Sequence, residues 1–193
     1  MGRDAWPHTT MNDQQILQHA IRAIRNGDKT TGRRLLAQVL RADRRNVLAW
    51  LWMSAAVEDD DRRRDCLRQA LAIDPDNQRA LVQLILALTE QFGSEGGVDV
   101  SEPKELLPRL GTEYERLYYA GLISERRAKG LLKHGTLGSG PMVYHLLRDA
   151  MAWYEKAEHL RPPGNDDVFL RWNTCARVIL RNRLRPPPGP PGT

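Results

Sequence analysis

Five histidines and two cysteines are the side chains of this 193-residue chain best suited to metal binding or nucleophilic chemistry, and their spacing argues against both. His8, His19, His134, His145 and His159 keep no ligand spacing with one another or with Cys66 and Cys175. Each cysteine stands without a C-x-x-C partner inside a segment whose apolar pattern is helical, so both are expected as buried small thiols in a reducing compartment. The run from Gly135 through Gly138 to Gly140 precedes a helix, as a phosphate loop does. It lacks the lysine and the preceding strand that such a cradle needs. Glu58-Asp59-Asp60-Asp61 is followed directly by Arg62-Arg63-Arg64, so its charge cancels locally and it reads as a solvated turn. No nucleophile elbow is present. The expectation is a non-enzymatic chain with no catalytic residue, no cofactor and no metal.

Recognition chemistry has better candidates. Trp50 and Trp52 lie two apart, so on a helix they point in quite different directions. Trp50 suits the core, and Trp52 either packs on a neighbouring helix, the more ordinary reading, or serves as a partly exposed anchor; aromatic and arginine side chains dominate interface energetics. Arg177, Arg181 and Arg185 are spaced by four and form one basic stripe if their helix persists, although Pro186 must end it close by. A stripe of this kind suits phosphates or an acidic partner; it equally suits the solvated end of a capping helix, with cations at its C-terminus. The net charge of +5 lies wholly at this end, because no acidic residue follows Asp167. The basic balance therefore describes a tail.

These residues need helices to hold them, and the chain carries a spacing ruler for helices. Ala150, Tyr154, Ala157 and Pro162 follow one another at intervals of four, three and five. Leu67, Ala70 and Pro75 fall on the last three marks of that scale, and Gly32, Leu36 and Val39 on the first three. Small and large residues at such intervals share one helix face and let a neighbouring helix approach, while the proline stops the helix and starts a turn. At an offset of 31, Leu36 aligns with Leu67, Gln38 with Gln69, Leu40 with Leu71, Asp43 with Asp74 and Asn46 with Asn77. Each of these segments follows another apolar-periodic one, so helix, turn, helix, turn is the unit. No segment alternates with period two for long enough to argue a strand.

The chain divides accordingly. Residues 1–11 lack periodicity and are expected as a disordered leader, with Met11 an alternative start. Residues 12–92 carry the N-terminal repeats, and 93–108, with its Gly-Ser-Glu-Gly-Gly run and two prolines, reads as a linker or long loop. Residues 109–184 form a C-terminal helical region closed by a capping helix; within it Ser124 is a plausible N-cap and Asn165-Asp166-Asp167 offers caps to the last helix. Residues 185–193, RPPPGPPGT, are expected as an extended or disordered tail. No stretch approaches the roughly 20 apolar residues of a membrane-spanning helix, and no apolar run follows the first basic residue, so a cytoplasmic protein is expected.

The ruler resembles that of tetratricopeptide repeats, most strongly at Ala150, Tyr154, Ala157 and Pro162, and the segment Leu160 to Arg177 resembles the ends of uncharacterised bacterial proteins of that kind. Arg44 stands where the first unit would have its proline, and Arg63 where the second would have its small residue. The resemblance implies an all-α fold of antiparallel helix-turn-helix repeats stacked as a short right-handed TPR-like solenoid. It also implies a scaffold that receives a protein or peptide on the concave face lined by the first helices. On that face regular stacking would place Gln14, Leu17, Gln18, Ile21 and Arg25 from the first unit, and Trp52, Leu51 and Ala55 from the second. The subclass that grips chaperone carboxyl termini has a lysine and an asparagine where this chain has Leu17 and Ile21, which excludes that ligand. A short array leaves apolar end faces open, so a homodimer is plausible, and nucleic acid on the C-terminal arginines is the alternative partner.

Overall fold

The structure is a computed structural model that describes residues 12–94, 99–134 and 139–186, apart from the side chain of His134. The leader, the possible start at Met11, most of the glycine-rich run and the tail from 187 onward lie outside those residues. Every regular element among the described residues is helical. The chain divides into two compact units, residues 1–80 and 81–193.

In the first unit, helices α1 (Asp13–Arg25), α2 (Lys29–Ala42), α3 (Val47–Ala56) and α4 (Asp60–Ile73) follow one another through short turns. Each starts where a side-chain oxygen takes up an otherwise unpaired backbone N–H. Asn12 Oδ1 accepts from Gln15 N at 2.8 Å while Gln15 Oε1 accepts from Asn12 N, a reciprocal cap. Asp28 caps α2 through Thr31 N, Asn46 caps α3 through Ala49 N, and Asp59 caps α4 through Arg62 N. Helices α1 and α2 pair, α3 and α4 pair, and α2 also packs on α3, so successive hairpins lie against each other. Ruler residues sit at these contacts. A Cβ on Gly32 would come 2.3 Å from Ile24 Cγ1, so only glycine lets α2 lie this close to α1. Leu36, Val39, Leu67 and Ala70 are all buried. Asn77 caps α5 (Gln78–Glu90) through Ala80 N, and the division between the units falls after the first turn of that helix.

The second unit continues with the rest of α5, then α6 (Ser101–Leu106), a 3-10 turn at Leu107–Arg109, α7 (Glu113–His134), α8 (Gly140–Glu158) and α9 (Asp167–Arg181). Helix α8 packs against α7 and α9, and its ruler residues Ala150, Tyr154 and Ala157 are buried at their centre. Two local expectations change. Helix α7 runs unbroken through Ser124 despite Gly121, because Leu122, Ile123 and Glu125 all bury against the unit. The stretch expected as linker, 93–108, contains α6, which tolerates Pro103 in its first turn where no N–H partner is needed. At its start Gly93, with φ +87°, meets Gly130 of α7 backbone to backbone: a Cβ on Gly93 would fall 2.7 Å from Gly130 Cα, and one on Gly130 would fall 2.7 Å from Phe92 O. No helix among the described residues is long and apolar enough to cross a membrane.

Candidate functional site

Both tryptophans of α3 are half-buried and pack on the first unit's core. Trp50 packs against the first unit's core and donates its indole N–H to Arg44 O at 2.9 Å, which ties α3 to the turn before it. Trp52 is half-buried, with one part packed on the same core. Two guanidiniums lie over its ring, Arg25 Cζ at 5.4 Å from the centroid and Arg79 Cζ at 5.5 Å. Arg25 stands in the last turn of α1 and Arg79 in the first turn of α5, so the indole joins residues of α1, α3 and the start of α5. Among the described residues neither guanidinium has a carboxylate partner, and the Trp52 N–H has no acceptor.

The other residues expected on this face divide by burial. Gln14 and Gln18 are exposed and share a face of α1 with Arg25 through their spacing of four and seven. Leu17 and Ile21 are 7% and 6% exposed and belong to the core with Ile16, Ala20 and Leu36. Their side chains offer no surface to a partner: the register taken from the family puts them outward, whereas the apolar stripe of α1 turns them in. Leu51 is buried for the same reason, and Ala55 is exposed. Arg79 was not anticipated. Its signal was available, four residues beyond Pro75, in the first turn after the ruler's stop.

The C-terminal stripe is shorter than its spacing suggests. Helix α9 ends at Arg181, the chain turns at Arg183 with φ 51°, and Arg185 therefore does not continue the face of Arg177 and Arg181. Arg177 donates to Thr174 Oγ1 at 3.2 Å, and both arginines flank Leu180, which is 76% exposed.

A polar cluster that sequence reasoning missed lies inside the second unit. Glu125 on α7 is fully buried; it accepts from Tyr154 Oη at 2.7 Å, from Lys129 Nζ at 2.5 Å and from Arg171 at 3.3 Å. A buried carboxylate is tolerable only when paired in this way. Burial, with the Glu125 charge adding to it, pushes the Tyr154 hydroxyl far above its ordinary pKa. Burial and the same carboxylate push the Cys175 thiol up to about 12. For Arg171, burial disfavours the charge, but Glu125 and Tyr118 outweigh it and the pKa ends raised. Cys66 is held at about 11, chiefly by burial. Both thiols are free and buried, and a protonated thiol is a poor nucleophile, so neither is set up for chemistry. Among the described residues no group of three or more His, Cys, Asp or Glu could hold a metal ion. The cluster is an internal brace between α7, α8 and α9.

No protein-family model matches the chain, and no curated protein matches it. Among solved structures, the chain is similar to PilW, described as a widely conserved type IV pilus biogenesis factor, at 17% identity over 89% of this chain and 88% of that one, with a TM-score of 0.47. A likeness at that level carries no argument for function.

Proposed function

We propose that the protein is a non-enzymatic, tetratricopeptide-like scaffold whose first unit holds an extended segment of another protein along the first helices of its hairpins. The observation that carries this reading is Trp52: a half-buried indole, shared by α1, α3 and α5, whose N–H has no acceptor among the described residues. Large aromatic side chains anchored on one side and open on the other are what binding hot spots are made of. Gln14 and Gln18 add exposed amides that can bond to a peptide backbone. A cytoplasmic setting fits the free, buried thiols.

Display of random peptides against the whole protein tests this. Enrichment of a sequence pattern that Trp52→Ala abolishes, with helical content unchanged by circular dichroism, supports the scaffold. Absence of enrichment, or enrichment indifferent to Trp52, sinks it. The competing reading, nucleic acid on the C-terminal arginines, loses Arg185 from its stripe. Two remaining phosphate contacts would give a salt slope of only about −2 in a log–log plot, too weak for specific binding.

A further inference from the structure

The scaffold reading leaves its ligand without a chemistry, and the charge layout of the first unit supplies one. Helix α1 has a single acid, Asp13, at its far end, while its second half carries Arg22 and Arg25. Helix α3, VLAWLWMSAA, has no charged residue at all, and the first turn of α5 adds Arg79. Among the described residues, the unit's remaining acids lie on α4, as Asp60, Asp61 and Asp65, or in the turns and caps between helices. They also have local partners: Asp61 and Asp65 pair with Arg64 and Arg68 on the same helix, and Asp28, Asp43 and Asp59 accept backbone N–H groups. The first helices therefore present cations, and most of the acids nearby are engaged with local partners, Asp74 among them through Asn77.

The geometry points to an acidic segment of a partner protein as the occupant, gripped by Arg25 and Arg79 on either account of the Trp52 ring they share. This rests on the scaffold reading and names its ligand class. Two guanidinium forks lie over one indole, and among the described residues no carboxylate pairs with either and no acceptor takes the indole N–H. Guanidinium forks match carboxylates bidentately, and such charge-assisted bonds are the strong ones. A guanidinium resting on an aromatic ring is already held in place, so less rotamer freedom is lost when a carboxylate arrives. The two Cζ atoms are no more than about 11 Å apart, because each lies within 5.5 Å of one ring centre. Side chains two residues apart in an extended strand project to the same side about 7 Å apart, within that limit. The favoured ligand thus carries acids at positions i and i+2, with a neutral apolar residue nearby to cover the exposed part of the indole.

The test is fluorescence anisotropy with a short labelled peptide that carries Asp or Glu at i and i+2 beside one leucine, compared with its Asn/Gln counterpart, on the full chain. The acidic peptide is expected to bind on the order of tenfold more tightly than the amide version, and to weaken by a similar factor in Arg25→Gln or Arg79→Gln. Arg25→Lys with Arg79→Lys keeps the charge and guards against loss of fold; it should retain part of the preference. Arg177→Gln with Arg181→Gln should leave it unchanged. If the amide peptide binds equally well and only Trp52→Ala weakens it, the acidic-ligand inference is wrong while the scaffold stands. If neither peptide binds and display enriches nothing, both are wrong. If single-stranded RNA competes more strongly than the peptide for the same arginines, the surface is a nucleic-acid site and the inference fails.

Discussion

Arginine and an aromatic ring meet in both units of this protein, with opposite outcomes. In the second unit, Arg171 and Lys129 converge on the buried Glu125 beside Tyr154, so donors and acceptor satisfy one another inside the fold. In the first, Arg25 and Arg79 converge on Trp52 at the surface, and no carboxylate answers them among the described residues. The same side-chain chemistry is closed in one place and open in the other. A closed set braces helices. An open one retains its capacity to bond with something outside the chain, and this distinction separates a stabilising cluster from a recognition surface better than residue type does.

Five experiments press on that distinction. The largest effect is expected from Glu125→Ala, which leaves two cations facing each other around a vacated centre and strips the Tyr154 hydroxyl of its acceptor: about 3–5 kcal/mol of stability, read from urea unfolding. A loss below about 1 kcal/mol would mean the cluster is not a brace. Tyr154→Phe keeps the ring and removes one bond to Glu125, so it should cost about 1–2 kcal/mol in the same assay. At the open site, Arg79→Gln should cost no more than about 1 kcal/mol, since the cation–ring contact is exposed, yet it should diminish binding of acidic peptides. A large stability loss there would turn the stack into a second brace and erase the contrast.

The smallest effect near neutrality is expected from alkali. The Cys175 thiol sits at about 12 against an ordinary 9.0, so the folded state holds that proton more tightly than the unfolded chain does. Its contribution is fully present below pH 9.0 and is lost as pH rises towards about 12, with Tyr154 acting in the same direction above its ordinary 10.0. Unfolding midpoints should therefore be flat to pH 9.0 and fall beyond it. Both cysteines should stay inert to a thiol reagent until the chain unfolds; rapid labelling of Cys175 at neutral pH would contradict its burial.

The helical fold was legible because its signals are local. Gly32, Leu36, Val39, Leu67, Ala70, Ala150, Tyr154 and Ala157 are buried where the ruler put them, whereas of the caps expected before the last helix only Asn165 acts, accepting from Asp167 N, and Asp166 makes no side-chain cap bond. The candidate sites were legible only in part. Trp52 and Arg25 could be singled out, but their meeting with Arg79 needs α1, α3 and the start of α5 brought together, which no single segment encodes. Leu17 and Ile21 went astray because a family's register was preferred to the apolar stripe of α1 itself, in which Ile16, Leu17, Ala20 and Ile21 read as one buried face. Glu125 could not be found at all. A charged residue on a long helix reads as solvated, and Lys129 four residues on reinforces that reading. Only the arrival of Tyr154 and Arg171 from other helices makes it internal.

The contact between Gly93 and Gly130 has a consequence for how this sequence can drift. Most tight packings leave an evolutionary exit, since a larger residue on one side is accommodated by a smaller one opposite. Here both partners already have no side chain, and each would strike main-chain atoms of the other's segment. No compensating pair exists. The two positions should therefore change together with a shift of α7 and of the turn after α5 or not change, and a survey of homologous chains should find glycine at both wherever α7 and that turn keep their lengths.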